Sequence, residues 1–168
     1  MLPLETNLQT IRQLATEKEN EHDLFRSFLN NQNSGQIDEL VFRLNNTITP
    51  LVDCTKCGQC CKTLMINVTQ DEAENLAANL EVQLSELKEK YIEESLQGAL
   101  IMKSIPCPFL GGTSCTIYEN RFTECREFPH LHKPGFTNRL FGTLIHYSIC
   151  PIIFNVVENL KHDTGFTG

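Results

Sequence analysis

The sequence predicts a small, helix-rich α+β domain with short strands and cysteine-lined loops, preceded by N-terminal helices. Three observations carry this. Apolar residues recur at helical spacing near both ends of the 168-residue chain, short alternating segments fall between them, and eight cysteines gather from residue 54 onwards. A chain of about 150 residues buries roughly 68–70% of its unfolded surface, enough for one core without covalent staples. The expected division is a helical segment at 1–50, a cysteine-rich body at 51–162 and a frayed tail at 163–168.

Residues 4–29 read as helix. Leu4, Leu8, Ile11 and Leu14 form one stripe, Leu24, Phe25, Phe28 and Leu29 another, and polar Thr16 to Asp23 is an exposed stretch or a break. Asn30 to Gly35 is a loop by composition. A second helix begins near Ile37, turns Leu40, Val41, Leu44 and Ile48 inward, and ends at Pro50. Cys54 to Cys61 is too rich in Cys and Gly for a regular element. Leu64, Ile66 and Val68 alternate with polar or longer neighbours, which predicts a short strand. Thr69-Gln70-Asp71-Glu72 has the form of a capping box and opens a helix through Leu76 and Leu80.

Ser85 to Ser95 reads as another helix with Leu84, Leu87 and Tyr91 on one face and its acids in solvent. Leu100 to Ile105 is expected as strand, and Cys107 to Pro134 as irregular loops with one helical turn near Glu119 to Arg126. The β-branched and aromatic character of Leu140 to Ile149 predicts a strand. Pro151 then opens a last helix, Ile152 to Leu160.

A formal net charge of −7, from 21 acids against 14 bases, leaves no basic surplus for a phosphate backbone, so nucleic acid is not an expected partner. The longest apolar segment, Ile149 to Val157, is interrupted by Pro151 and Asn155 and falls far short of the ~20 residues of a spanning helix. No basic cluster followed by an apolar run opens the chain, so no export signal and a cytoplasmic location are expected. No Walker loop, Ser-His-Asp order or paired-carboxylate spacing stands out.

The eight cysteines are Cys54, Cys57, Cys60, Cys61, Cys107, Cys115, Cys125 and Cys150. In a reducing compartment clustered thiols ligate metal more often than they form structural disulfides. Two cysteines separated by two residues around a turn aim both sulfurs at one centre, and Gly58 eases that turn. Adjacent Cys60 and Cys61 point in different directions in either helix or strand, so one serves a second centre or stays a thiol. Pro108 and Pro151 stiffen the chain after Cys107 and Cys150. Eight thiols suffice for two four-cysteine centres, and sulfur ligation suits zinc and iron–sulfur clusters equally. Cys150 also has the plainer role of a small buried hydrophobe.

Four linked motifs occur in order: Cys54-x-x-Cys57-x-x-Cys60-Cys61, Cys107-Pro108-Phe109-Leu110, Cys115-Thr116-Ile117-Tyr118-Glu119-x-Arg121 and Cys125-Arg126-x-Phe128-Pro129. Over about residues 54–150 the chain resembles the YkgJ-type cysteine-cluster family, the CxxCxxCC domain described as zinc- or iron-chelating, to which flagellin lysine-N-methylase is similar. The resemblance implies metal chelation through these cysteines. Its methylase relatives imply an iron–sulfur cluster working with S-adenosylmethionine, although no adenosylmethionine fingerprint is present here. Phe122 stands where the family often has proline.

Arg121 and Arg126 flank Cys125, where a guanidinium offsets thiolate charge and tunes a cluster; the plainer alternative is surface pairing with Glu119 or Glu127. His130, His132 and His146 are alternative ligands, less needed where cysteines already fill four-coordinate sites. Tyr118 reads as a packed aromatic, and Phe109, Leu110 and Phe128 as a dry shell around the centre. The expected function is zinc or iron binding, with iron as an iron–sulfur cluster and a redox or group-transfer role. The alternatives are an iron–sulfur-dependent enzyme modifying a protein lysine or other acceptor, and a zinc-stabilised module that docks a protein partner.

Overall fold

A computed structural model describes residues 1–168. Three helices come first: α1 (Leu8–Glu17), α2 (Glu19–Asn30) and α3 (Ser34–Ile48), the last running into a 3₁₀ turn at Thr49–Leu51. A 3₁₀ turn at Cys54–Lys56 and the short helix α4 (Gln59–Thr63) lead to strand β1 (Asn67–Val68). Helices α5 (Gln70–Asn79) and α6 (Leu84–Tyr91) precede strands β2 (Ile92–Glu94) and β3 (Leu100–Met102). The hairpin β4 (Leu110–Gly111) and β5 (Ser114–Cys115) follows, then a 3₁₀ turn at Tyr118–Asn120 and helix α7 (Thr123–Glu127). Helices α8 (Phe136–Ile145) and α9 (Pro151–Asp163) complete the order. This is the helix-rich α+β architecture that the sequence predicts. No helix is long and apolar enough to cross a membrane.

Contacts divide the chain into two compact units, one of Met1–Asp53 with Pro129–Gly168 and one of Cys54–Phe128. The residues after Phe128 thus group with the N-terminal helices rather than with the cysteine-rich middle.

In the middle unit β1, β3 and β2 form an antiparallel sheet in that order, with Val68 opposite Leu100 and Ile92 opposite Met102. The capping box forms: Thr69 Oγ1 accepts the Glu72 amide at 3.2 Å, and Glu72 Oε2 accepts the Thr69 amide at 3.0 Å. Ile66, Val68, Ala73, Leu76, Leu87, Ile92, Met102, Phe109 and Phe122 make the core, with Cys107, Cys115 and Cys125 packed half-buried against it. The predicted helix at Ser85 to Ser95 is corrected here. It stops at Tyr91, because Ile92 leaves the Leu84–Leu87–Tyr91 stripe and is buried by pairing with Met102.

In the other unit α9 is the hub, packed by α1 and α3, and its residues are buried almost without interruption from Pro151 to Lys161. Its buried amides are satisfied. Asn155 Oδ1 accepts the Glu5 amide at 2.9 Å, its Nδ2 donates to the Glu5 and Pro151 carbonyls at 2.7 Å each, and Asn159 Oδ1 accepts the Leu2 amide at 2.7 Å. The break expected in 16–23 falls at Lys18, between α1 and α2. Phe166, in the segment read as frayed, packs its ring at a tilt against Phe25 and Phe28, with centroids 5.1 and 5.3 Å away.

The strand expected at Leu140 to Ile149 is a second correction, since most of this stretch belongs to α8. Phe136, Leu140, Thr143 and Tyr147 are buried at helical spacing, and Asp38 of α3 accepts the Gly135 and Phe136 amides at 2.7 and 2.8 Å. A remote carboxylate caps the helix, and burial overrides β propensity.

A buried ionic cluster ties α1, α2 and α9. Glu158 pairs with Lys18, takes Lys161 at 2.9 Å and accepts the Tyr147 hydroxyl at 2.7 Å; Lys161 also meets Glu21 at 2.8 Å. Burial opposes the Glu158 charge, but these donors outweigh it and hold the carboxyl below its ordinary range. The His22 ring stands edge-on to Tyr147 with centroids 4.6 Å apart, and its buried Nε2 has no hydrogen-bond partner. Burial first, then the Lys161 charge, lower its pKa below 6.5. A histidine depressed in the fold takes up more protons when unfolded, so its contribution is intact above pH 6.5 and is lost as pH falls through the folded value. Thermal unfolding at stepped pH is expected to show a midpoint that declines below 6.5, and His22→Phe to flatten that part of the curve.

Candidate metal centre

The cysteine-rich segment expected to lack regular structure carries a 3₁₀ turn and the helix α4. The Cys54 carbonyl accepts the amides of Cys57 and Gly58, both at 3.2 Å, curling the chain around the first cysteine. Gly58 then takes φ +60°, and a Cβ there would stand 2.5 Å from the Thr113 carbonyl oxygen. Left-handed backbone and close approach to the β4–β5 turn both require glycine. Cys60 and Cys61 follow on α4 with sulfurs 4.0 Å apart.

Backbone hydrogen bonds bring the distant cysteines to this helix. The Cys107 amide donates to the Cys61 carbonyl at 2.8 Å, and Leu110 donates to the Cys107 carbonyl at 3.0 Å. Leu110 faces Cys115 across the hairpin. Cys125 arrives on α7, whose first residue, Thr123, donates its amide to Glu72 Oε1 at 2.6 Å. Glu124 grips Asn67 of β1 twice, at 2.7 Å from its amide and 2.7 Å from its Nδ2.

Charge couples four of the thiols. Burial raises Cys107, Cys115 and Cys125, the last to about 12, and a charge on Cys61 raises all three further; Cys125 also feels Cys107 and Cys115. The Phe109 and Ile117 amides, each two residues downstream, oppose this at Cys107 and Cys115, as does Arg121 at Cys115. Cys61 is lowered to about 7, chiefly by the Cys60 thiol. Cys61, Cys107, Cys115 and Cys125 thus lie within range of one another's charge, with Cys60 beside Cys61. None of the eight cysteines is in a disulfide. No three His, Cys, Asp or Glu side chains stand in metal-holding geometry.

The other candidates fall as follows. Cys54 is exposed and Cys57 half-buried on the same loop. Cys150 belongs to the helical unit, buried at the head of α9. His130, His132 and His146 also lie in that unit; burial lowers His146. Arg121 lies over the Tyr118 ring at 3.8 Å and donates to the Tyr118 carbonyl at 2.7 Å, within charge range of Cys115; Arg126 lies in the last turn of α7. Phe109 is buried against Tyr91 at 4.8 Å, and Tyr118 is exposed rather than packed away. Sequence reasoning missed Glu124 and Asn67 entirely and read Glu72 only as a helix cap. An isolated polar residue carries no signal of a partner 57 positions away.

An all-sulfur donor set fits a soft or borderline cation such as zinc or iron, and a cation's charge reverses the mutual penalty among the thiols. Residues 53–147 match the CxxCxxCC family, described as a zinc- or iron-chelating domain. The chain belongs to the CxxCxxCC family. Of its relatives, "Uncharacterized protein YkgJ" of Escherichia coli O157:H7 is 29% identical over 90 residues, covering 51% of this chain and 81% of that protein. No solved structure matches. The matched CxxCxxCC span contains every cysteine of the middle unit and stops short of Cys150.

Gly58→Ala is expected to cost more than Gly112→Ala in denaturant unfolding of the metal-free chain. Gly112, at φ +69° with open space around it, pays only the left-handed penalty of about 1–2 kcal/mol, whereas Gly58 adds overlap with a backbone carbonyl. Equal losses would contradict the role given to the Thr113 contact.

Proposed function

We propose that the chain binds zinc or iron as a thiolate centre in a reducing, cytoplasmic setting, with Cys61, Cys107, Cys115 and Cys125 as the ligand set. The observation that carries this reading is that Cys107, Cys115 and Cys125 pack against one core, with Cys107 bonded to the Cys61 main chain and all three within range of the Cys61 charge. The family description and the eight undisulfided cysteines support it. Cys54, Cys57 and Cys60 share the loop beside the quartet and are the thiols available to a polynuclear or second centre.

Zinc in such a set would cross-link four loops, and an iron–sulfur cluster would add electron transfer. Four thiolates fill a tetrahedral ion, so the centre is closed and its first role is to organise the middle unit. Within that unit the chain's own residues do the rest. Phe109 and Phe122 keep water from one side, the Phe109 and Ile117 amides stabilise two thiolates, and Arg121 offsets charge at Cys115.

A second reading, a zinc-stabilised docking module, is favoured by one observation. Leu24 on α2, Phe42 on α3, and Phe141 and Ile145 on α8 are large apolar side chains left about half or more exposed.

Protein purified without oxygen is expected to carry zinc or iron, with broad visible absorption if iron–sulfur and none if zinc. Cys61→Ser is expected to lose most of the bound metal and Cys60→Ser to keep its stoichiometry. Colourless protein without either metal, also after anaerobic reconstitution, overturns the proposal; equal loss from both variants overturns the ligand set.

A further inference from the structure

Helix α7 carries Cys125 in a five-residue helix, Thr123–Glu127, that has no side-chain cap of its own. A helix this short does not hold its geometry by internal bonds, because nucleation costs more than one turn returns. Its position is imposed from outside, by two carboxylates acting on the residues immediately before the cysteine. Glu72 of α5 accepts the Thr123 amide at 2.6 Å, and the same carboxylate closes the α5 capping box through the Thr69 amide at 3.0 Å. Glu124 reaches the opposite way, taking the Asn67 amide and the Asn67 Nδ2, both at 2.7 Å.

Asn67 lies in β1, at the outside of the sheet, where only β3 pairs with it. Glu124 therefore occupies the free edge of that strand with a two-point grip. Both clasps land on the same corner, the joint where β1 turns into α5. Cys107 and Cys115 are fixed by neighbouring main chain, through the bond to the Cys61 carbonyl and through the hairpin. The main-chain bonds around Cys125 stay within its own turn, Arg126 to buried Phe122 and Phe128 to Glu124, so the carboxylates are what tie that turn to the β1–α5 corner.

We infer that Glu124, assisted by Glu72, is a positioning residue that presets the Cys125 sulfur for metal, coupling the fourth ligand to the β1–α5 corner. The inference rests on the ligand set proposed above. Its consequence is that the bound state, and not only the fold, feels the Glu124–Asn67 pair. Outer partners that orient a ligand typically matter about 10- to 100-fold in metal affinity.

The test uses the full chain loaded with cobalt(II) alone, or reconstituted with iron and sulfide if cobalt is refused. Thiolate-to-metal absorption and the rate of metal loss to a chelator are followed, with circular dichroism as the check on folding. Glu124→Leu removes both acceptors from Asn67 and is expected to weaken the absorption and speed metal loss about 10-fold or more. Glu124→Gln keeps an oxygen for the Asn67 backbone amide and offers its NH2 to a flipped Asn67 side-chain oxygen, and is expected to stay near wild type in both readouts. Glu124→Leu that lowers the melting point of metal-free protein but leaves the absorption and release rate unchanged overturns the inference. So does Glu124→Gln that folds but is as weak as Glu124→Leu. Wild type that takes up neither probe, or Cys125→Ser that matches wild type, overturns the ligand set together with the inference.

Discussion

Half-buried thiols set side by side cannot all ionise, since each charge loses water and repels the next. Burial first, and a charge on Cys61 after it, favour the protonated forms of Cys107, Cys115 and Cys125, while the neighbouring Cys60 thiol lowers Cys61. A bound cation would change the sign of that coupling. The rest of the middle unit makes sense around this constraint. Its strands are two or three residues long, two of its helices have five residues, and its apolar core is small. Such a body gains from an internal staple in the way that other small scaffolds do.

The elements that deliver the sulfurs are correspondingly local devices rather than long regular structure. Gly58 lets the loop press on Thr113, the Cys107 amide locks onto the Cys61 carbonyl, and a two-residue-per-strand hairpin aligns Cys115 with Leu110. Two carboxylates serve the last cysteine. The helical unit works differently: one buried helix, α9, collects amide and ionic partners from the first two helices and the segment before them.

Much of this was legible in the residues. The capping box at Thr69, the closing action of Pro50, the opening action of Pro151 and the break in 16–23 all depend on neighbours within a few positions, and those patterns are written locally. The CxxCxxCC motif likewise announces its chemistry in eight consecutive residues. The failures share a cause in distance along the chain. Leu140 to Ile149 looks like strand until Asp38, far upstream, caps a helix there, and Ser85 to Ser95 looks like one helix until Met102 claims Ile92. Among the cysteines, spacing alone shows nothing of the charge coupling between Cys61 and Cys107, Cys115 and Cys125, which needs the hairpin and α7 in place.

The order of the units along the chain has a consequence for biosynthesis. The cysteine-rich unit is one uninterrupted stretch, Cys54–Phe128, whereas the helical unit is assembled from segments on both sides of it. Chains emerge from the ribosome N-terminal end first and fold by units as they do so. The seven thiols of that stretch therefore leave the ribosome ahead of α8 and α9. The hub helix arrives last, so the helical half waits on a partner that the ribosome has yet to release.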